Sequence, residues 1–246
     1  MFSAVIITHN AEKHIKKCIT SIIPICTEIV VVDSGSTDQT IQIAKAAGAR
    51  VVETDWQGYG ANKNIGNREA KFDWILSIDS DEYLGTDLQT SIKSLSLQED
   101  TAYIVRRVNF FCGQRIRFGG LRPEWKVRIF NRNCMQWNNR KVHESLVYER
   151  TINLSKLSGD LNHRICDTPE EFGERNDLFA KLTAEQWHRD KFVPSFIKRH
   201  LIGLYHFLRS YIFHFGFLEG ARGLEISLLL AIMSKKKIEY YEALKV

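Results

Sequence analysis

The sequence has little of what marks fibrous, disordered or disulfide-bonded chains. Its 246 residues include only 15 glycines and 4 prolines, which excludes a collagen-like repeat and a proline-rich stalk. The five cysteines are odd in number and form no C-x-x-C pair, so they favour a reducing compartment and argue against a structural zinc site. What is present, 44% hydrophobic and 26% charged residues, is typical of a globular protein with one large domain, or one domain and an appendage.

Long hydrophobic segments are also lacking. The apolar run after Met1 is short and has no basic residues before it, so we expect no secretory signal. The uncharged stretch near the C-terminus is interrupted by Glu225 and is too short for a transmembrane helix. The net charge of +5 is uneven, because acidic residues outnumber basic ones up to Asp100 and Lys and Arg are frequent beyond it. This asymmetry predicts an anionic partner for the second half.

Strand-like and helix-like segments alternate in the first eighty residues. Buried strands are predicted from the apolar runs at residues 4–7, 29–32, 51–52 and 74–78. Three helices are predicted between them: one with Ile15, Ile19, Ile22 and Ile23 that stops at Pro24, one opened by a capping box Ser36-x-x-Gln39 that ends at Gly48, and one from Tyr59 to Ala70. Alternation of this kind predicts an α/β fold with a parallel sheet and right-handed crossovers.

Polar residues follow three of these strands. They are Thr8-His-Asn10, Asp33-Ser-Gly-Ser-Thr-Asp38 and Asp79-Ser-Asp-Glu82. Because ligands of open α/β sheets bind beyond the carboxyl ends of the strands, these groups are expected to face one crevice. Asp79 and Asp81 form a D-x-D in which both carboxylates can face one hard cation, Mg²⁺ or Mn²⁺. The alternative is a solvated acidic turn.

Several familiar motifs fail here. Gly58-x-Gly60 is followed by Lys63 where a dinucleotide fingerprint needs a third glycine, and no phosphate-binding P-loop or G-x-S-x-G elbow occurs. His143-Glu144 lacks the second histidine of a zinc-protease helix. A haloacid-dehalogenase-like phosphatase also has a D-x-D after a strand, but its motif continues with Thr or Val where Tyr83 stands.

The motifs that remain resemble those of the family 2 glycosyltransferases, inverting enzymes with the GT-A fold. The resemblance rests on Ile6-Ile-Thr-His-Asn10, Asp33-Ser-Gly-Ser-Thr-Asp38, Lys63-Asn64 and Trp74-Ile-Leu-Ser-Ile-Asp-Ser-Asp-Glu82. Later segments are similar to the bacterial lipopolysaccharide-core β-glucosyltransferase branch. They are Arg106-Arg107, Phe110-Phe111, Gly119-Gly120-Leu-Arg-Pro-Glu124, Val127-Arg-Ile-Phe130, Val142-His-Glu144 and Gly216-Phe-Leu-Glu-Gly220.

The resemblance implies a role for each polar residue that would bind the nucleotide-sugar donor. Thr8 and Asn10 would line the nucleoside pocket, and Asp33 would accept a hydrogen bond from the uracil ring. Lys63 would lie near the nucleotide. Asp79 would contact the ribose or a metal-bound water, and Asp81 would bind the divalent ion on the diphosphate; Ser80 between them is a mild departure from the family.

The resemblance also implies a carboxylate that deprotonates the acceptor hydroxyl in an inverting transfer. Glu124 stands where the family places this base, although the branch often has aspartate there, and Glu144 is its rival. His143 would be a further metal or diphosphate ligand, or a structural histidine. The alternative interpretation of Lys63 is an ordinary solvated residue of a helix. Asp38 is interpreted as a helix N-terminal charge rather than a ligand.

The role of six arginines stays open at this point. They can form a diphosphate or acceptor-phosphate cradle, or they can be outward positions of strands. They are Arg106, Arg107, Arg115, Arg117, Arg122 and Arg128.

The pattern becomes helical from about Glu170. Helices are predicted around residues 178–187 and after Pro194, and residues 196–215 mix aromatic, aliphatic and basic side chains. Residues 224–233 are largely apolar and Lys235-Lys-Lys237 follows. This composition favours helices that lie in a membrane interface on anionic lipid, and the alternative is helices that pack on the catalytic domain or form an oligomer.

Together these features predict a metal-dependent inverting glycosyltransferase. We expect a GT-A domain, a Rossmann-like and mostly parallel sheet flanked by helices, at residues 1–150. A basic, mainly helical acceptor and membrane region is expected at residues 151–246. The resemblance implies transfer of a hexose, with glucose expected, from a UDP-sugar to a lipid-linked glycan such as the lipopolysaccharide inner core. The cofactor would be Mg²⁺ or Mn²⁺.

The expected location is cytoplasmic and peripheral, on the inner face of the cytoplasmic membrane, and no nucleic-acid partner is expected. One alternative is an enzyme of the same fold that acts on another surface polysaccharide or on a protein. The alternative of a different class is a non-enzymatic membrane-surface or glycan-binding protein, which would bind anionic lipid but not UDP and would leave the acidic crevice unexplained.

Overall fold

The computed structural model describes residues 1–138, 140, 144–148 and 151–244, and the chain forms two compact units. The first unit is Met1–Arg107 with Glu124–His163, and the second is Val108–Pro123 with Arg164–Val246. This division differs from the predicted boundary after residue 150, because a long strand, Asn153–Cys166, begins in the first unit and ends in the second. The functional assignment of the two predicted regions stays a prediction.

Strands and helices alternate in the first half of the chain. In the second half the strands come first and the long helices follow them. The strands of the described residues are β1 (Ser3–Thr8), β2 (Glu28–Asp33), β3 (Arg50–Glu53), β4 (Trp74–Asp79), β5 (Glu82–Leu84), β6 (Thr101–Phe111), β7 (Gln114–Arg115), β8 (Glu124–Asn131), β9 (Met135–Trp137), β10 (Leu146–Tyr148) and β11 (Asn153–Cys166). The α-helices are α1 (Ile15–Ile22), α2 (Thr40–Ala46), α3 (Tyr59–Glu69), α4 (Thr86–Lys93), α5 (Pro169–Arg189), α6 (Phe196–Leu208) and α7 (Ala221–Ala243).

The main sheet has a parallel half and an antiparallel half. Its order is β3-β2-β1-β4-β8-β6-β11-β5, and the first four strands are parallel, as predicted. Thr8 pairs with Asp33 and Ile7 pairs with Asp79, so the carboxyl ends of β1, β2 and β4 lie side by side. The three polar segments predicted to share one crevice therefore do start at one edge of the sheet.

The antiparallel half was not located by the sequence analysis. Strand β8 pairs antiparallel with both β4 and β6, and β11 pairs antiparallel with β5. These pairings put Arg107 opposite Glu124 and His163 opposite Glu82. Residues from distant parts of the sequence are thereby brought to the end of β4.

Apolar layers cover both faces of the parallel strands, as a parallel sheet requires. One layer joins Ile6 and Val31 to Ile19 of α1, and the other joins Val5 and Val32 to Phe130. Helix α1 buries Ile15, Ile19 and Ile22 and ends before Pro24, as predicted, whereas Ile23 is exposed.

The predicted capping box at Ser36 is wrong. Helix α2 begins at Thr40, and the Ser36 hydroxyl donates a hydrogen bond to Asp33 instead. The bonds at the start of the helix come from Asp38, whose carboxylate accepts from the Thr40 N–H (3.0 Å) and the Thr40 hydroxyl. Asp38 thus lies just before a helix N-terminus, as interpreted from the sequence.

The second unit is built mainly from α5, α6 and α7. Phe111, Phe172 and Ile226 lie in its core. Thr168 caps α5 and Ser195 caps α6, each through a side-chain oxygen that accepts a backbone N–H three residues on. Helix α6 begins after Pro194, as predicted, whereas α5 extends well beyond the predicted residues 178–187 at its start. In the part of the chain that the structure describes, none of the helices has the length and apolar character needed to cross a membrane.

Candidate active site at the end of the parallel strands

The loops after β1 and β2 are bound to each other. Asp33 Oδ1 accepts hydrogen bonds from the N–H groups of Gly35 (3.0 Å) and Ser36 (2.8 Å). Asn10 has φ of 48°, a left-handed conformation that asparagine tolerates, and its Oδ1 accepts the N–H of Thr37 at 2.8 Å. These bonds fix the position of the two loops relative to each other.

Thr8 leaves a buried polar atom at this edge. Its side chain is buried at the end of β1, and within the described ranges its Oγ1 has no hydrogen-bond partner. A buried hydroxyl without a partner costs free energy, so a ligand group that reaches it would be stabilised.

Helix α3 carries Lys63 into the site, and three of its residues explain how. A Cβ on Gly60 would lie 1.9 Å from the carbonyl oxygen of Asn138, and a Cβ on Gly66 would lie 2.3 Å from Val5 Cγ1, so both glycines permit a close approach. Asn64 bonds both the N–H and the carbonyl of Trp137, at 3.0 and 2.8 Å. The alternative of a solvated Lys63 is wrong, because its side chain is only 3% exposed.

Eight charged side chains of the first unit form one continuous row of alternating sign, which we call the charged cluster. In order of contact they are Glu144, Lys63, Asp79, Arg128, Glu82, Arg107, Glu124 and Lys126.

The first part of the charged cluster surrounds Asp79. Lys63 Nζ lies 3.1 Å from Asp79 Oδ1 and 2.7 Å from Glu144 Oε1. Arg128 Nη2 lies 3.0 Å from Asp79 Oδ2. The carboxylate of Asp79 is therefore held between two cations, and Glu144 shares one of them.

The second part of the charged cluster is organised by Glu82, which is fully buried. Its Oε1 contacts Arg128 and accepts a hydrogen bond from Arg107 Nη1 at 3.3 Å, and its Oε2 accepts the N–H of Asp79 at 3.1 Å. Arg107 also contacts Glu124, whose other oxygen lies 3.0 Å from Lys126 Nζ. Glu82 is thus the link between Asp79 and Glu124.

The balance of charges fixes the protonation states. Burial disfavours the charge on Asp79, but Lys63 and Arg128 outweigh it and hold the pKa of Asp79 well below its usual range. Burial likewise opposes the charge on Lys63, and Asp79 and Glu144 raise the pKa of Lys63 nonetheless. For Glu124, burial is outweighed by Arg107 and Lys126, so its pKa is lowered. These carboxylates are ionised at neutral pH, the state that a base requires.

Asp81, the predicted metal ligand, lies beside a histidine that the sequence analysis did not select. Its Oδ2 is 3.6 Å from Nε2 of His163 on β11, and both side chains are largely buried. Within the described ranges, no group of three or more His, Cys, Asp or Glu side chains is arranged to hold a metal ion. Asp81 and His163 are nevertheless two donors of the types that divalent ions accept, at a separation compatible with one ion.

The structure thus groups Lys63, Asp79, Glu124 and Glu144 in the charged cluster and Thr8, Asn10 and Asp33 at the neighbouring strand ends. His143 lies outside the described residues.

Among the arginines, Arg128 is buried, so an outward strand position is wrong for it, and Arg106, Arg107 and Arg128 are all paired with carboxylates. The sequence analysis missed Glu82 and His163. Glu82 had one available signal, since it directly follows the D-x-D.

Comparison with known proteins identifies the class. The family model described as "Glycosyl transferase family 2" matches residues 3–157, which is more than half of the chain, and the chain belongs to this family. The resemblance drawn from the motifs is thereby confirmed, and with it the α/β fold class.

Two relatives match nearly the whole chain. An uncharacterized glycosyltransferase of Rickettsia bellii is 28% identical over 240 residues, which cover 93% of this chain and 82% of that protein. The lipopolysaccharide core biosynthesis glycosyltransferase LpsC of Rhizobium meliloti is 29% identical over an alignment of 258 positions. The alignment covers 99% of this chain and 93% of LpsC. A crystal structure of Staphylococcus aureus TarS residues 1–349 in complex with UDP aligns with a TM-score of 0.49 and 20% identity, covering 99% of this chain and 90% of that one.

Proposed function

We propose that this family 2 glycosyltransferase transfers a hexose, glucose by expectation, from a UDP-sugar to a lipid-linked glycan such as the lipopolysaccharide inner core, with inversion at the anomeric carbon. The charged cluster carries the proposal, because it joins cations suited to a diphosphate with ionised carboxylates suited to base catalysis. The acceptor class is supported by LpsC, a lipopolysaccharide core biosynthesis glycosyltransferase that aligns over 99% of this chain.

The donor nucleotide is assigned to the carboxyl ends of β1, β2 and β4. Thr8, Asn10 and Asp33 would contact the nucleoside, and the unsatisfied hydroxyl of Thr8 supports this. Lys63 and Asp79 would face the ribose and diphosphate. The Lys63 ammonium group has three N–H donors, and the carboxylates of Asp79 and Glu144 lie beside it, so a diphosphate oxygen would take the remaining donor while both carboxylates hold Lys63 in place.

A divalent ion, Mg²⁺ or Mn²⁺, is proposed to bind with the donor. Asp81 would hold it, with His163 beside Asp81 as a second donor and Asp79 through water. Such ions are commonly held by one or two protein groups plus substrate phosphates, which agrees with the lack of a three-ligand cluster in the described residues. When bound, the ion would supply electrostatic stabilisation of the leaving diphosphate.

The base is assigned to Glu124. An inverting transfer needs a carboxylate that takes the proton of the acceptor hydroxyl as that oxygen attacks the anomeric carbon. Glu124 is ionised and its side chain is 40% exposed, whereas that of Glu144 is 20% exposed and bound to the buried Lys63. Glu144 is then a positioning residue that holds Lys63.

The location proposed for this reaction is the cytoplasmic side of a membrane, where the protein binds peripherally. A lipid-linked acceptor requires the enzyme to work at a lipid surface, and the chain offers no membrane-crossing helix among its described residues.

The test is calorimetric titration with UDP, with and without Mn²⁺. The wild-type protein is expected to bind UDP, and Mn²⁺ is expected to tighten binding at least about tenfold. Asp81→Asn is expected to abolish the effect of Mn²⁺, while the control variant Asp87→Asn, which changes an exposed aspartate of α4, is expected to keep it. No binding of UDP, ADP or GDP under either condition would overturn the transferase proposal and favour a non-enzymatic surface protein.

A further inference from the structure

The second unit exposes an unusual amount of apolar surface on and after α6. Five residues, Ile197, Leu201, Leu204, Leu208 and Ile212, recur at helical spacing and are all exposed. Ile202 and Gly203, on the opposite side of α6, are buried. We call the exposed apolar residues of 192–218 the apolar face. A helix face that packs within its own unit would be covered, so this face lacks a partner within the unit.

The apolar face continues through two short helical segments that follow α6, a π-helix at Arg209–Phe213 and a 3-10 helix at Gly216–Glu219. Phe213 is 71% exposed, and Phe215, Phe217 and Leu218 are exposed as well. Phe215 has φ of 59°, a conformation that a bulky residue adopts at a cost. Large exposed aromatic side chains are suited to insertion at the level of lipid headgroups.

The charged residues within 191–218 are all basic, although Asp190 and Glu219 directly flank this range and Arg199 is paired with Glu242 of α7. Residues 191–218 contain Lys191, Lys198, Arg199 and Arg209 and no aspartate or glutamate. Lys191 and Arg209 are exposed. A protein partner would need an acidic apolar surface to match, whereas an anionic bilayer offers both properties over any area.

We propose that the apolar face is a membrane-binding surface, in which α6 lies in the plane of an anionic bilayer with its apolar stripe and Phe213 in the headgroup–acyl boundary and Lys191 and Arg209 on lipid phosphates. This proposal deepens the proposed function. It rests on that function only for the statement that the enzyme meets its lipid-linked acceptor at this lipid surface. Helix α6 has 13 residues, which suits an in-plane helix rather than a crossing one.

Flotation of the full chain with phosphatidylcholine vesicles that contain 25% phosphatidylglycerol tests the surface. The wild-type protein is expected to float with these vesicles. The triple variant Ile197→Gln, Leu204→Gln and Phe213→Gln is expected to bind about a hundredfold more weakly, because it removes three apolar side chains from the interface. Leu154→Gln is the matched control: Leu154 is 63% exposed but lies on β11 in the first unit, and its replacement is expected to leave binding unchanged.

A separate double variant tests how much the basic side chains contribute to vesicle binding. Lys191→Gln with Arg209→Gln is expected to weaken binding about twentyfold at low salt, and much less in 0.5 M NaCl, where the wild type itself binds more weakly. Lys93→Gln, an exposed lysine of α4 in the first unit, is the control. Circular dichroism melting of each variant establishes that it is folded, since the changed side chains are exposed.

Each outcome has a defined meaning. Flotation that the triple variant loses and Leu154→Gln retains supports the surface. Absence of wild-type flotation, or equal flotation of the triple variant, overturns it. A wild-type dimer in light scattering that the triple variant converts to a monomer, without vesicle binding, also overturns it and assigns the face to a second copy. UDP titration of the same preparation separates the two proposals: UDP binding without flotation rejects only the surface, and flotation without UDP binding rejects only the transferase.

Discussion

Lys63 and Glu144 form a largely buried ion pair across 81 residues of sequence, with 2.7 Å between Nζ and Oε1. Burying two charges is costly unless both are well paired, and here Asp79 adds a second carboxylate to the same ammonium group. Glu144 is thereby bound to the buried Lys63, while Glu124 is paired with Arg107 and Lys126 and keeps the more exposed carboxylate of the two.

The first prediction follows for the two candidate bases. Glu124→Gln is expected to lower kcat by about 10²–10⁴-fold with little change in UDP affinity, since it removes the proton acceptor and leaves the donor site intact. Glu144→Gln is expected to weaken UDP binding, because Lys63 loses a partner that positions it. Turnover and calorimetry on both variants give the comparison. A large loss of kcat in Glu144→Gln with normal UDP affinity, and a small loss in Glu124→Gln, would exchange the two roles.

The sequence was sufficient to place Thr8, Asp33 and Asp79 at one edge of the sheet, because the signals for that placement are local. Apolar runs followed by Thr8, Asp33 and Asp79 predict strands that end in polar groups, and the geometry of a parallel sheet brings such ends together. No pairing between distant residues had to be known.

The charged cluster and the Asp81–His163 pair depend on antiparallel pairing between strands far apart in the sequence. Arg128 reaches Asp79 because β8 lies against β4, and His163 reaches Asp81 through the pairing of β11 with β5. Alternating residues in these strands have no local feature that separates a buried arginine from a solvated one. The capping-box prediction failed for a similar reason, since Ser36 fits the local pattern but Asp33 binds its hydroxyl.

The second prediction concerns the buried link of the charged cluster. Glu82→Gln is expected to destabilise the protein by about 3–5 kcal/mol, because two arginines lose the carboxylate that they share. Urea unfolding followed by circular dichroism measures the change. Glu99→Gln, at an exposed position, is the control and is expected to change stability by less than about 0.5 kcal/mol. Equal stabilities for the two variants would mean that Glu82 does not hold the arginines in solution.

The third prediction is a pH dependence of stability. The pKa values of Asp79 and Glu124 are lower in the folded protein than in the unfolded chain, where carboxyls titrate near pH 4. The stability that these groups contribute is complete above that value and is lost as the pH falls toward their folded pKa values. The free energy of unfolding is therefore expected to decrease below about pH 5.

Asp79→Asn isolates the contribution of one carboxylate to that slope. Its free energy of unfolding is expected to change less between pH 5 and pH 3 than that of the wild type, since one group with a lowered pKa is gone. Urea titrations at several pH values give both slopes. Asp87→Asn, which changes an exposed carboxylate, is expected to retain the wild-type slope. Identical slopes in wild type and Asp79→Asn would contradict the depressed pKa of Asp79.

The last prediction tests the close approach that places Lys63. A Cβ at Gly60 would lie 1.9 Å from the backbone oxygen of Asn138, which a side-chain rotation cannot relieve. Gly60→Ala is expected to destabilise the protein by about 1–3 kcal/mol and to weaken UDP binding, because α3 must move and carries Lys63 with it.

Gly173→Ala is the matched control, because Gly173 lies within α5 with no atom within 4 Å of the added Cβ. Alanine has the higher helix propensity, so this change is expected to stabilise the protein by about 0.5–1 kcal/mol. Chemical denaturation and UDP calorimetry on both variants complete the comparison. If Gly60→Ala behaved like Gly173→Ala in both measurements, the close contact at Gly60 would not be what holds Lys63 beside Asp79 and Glu144.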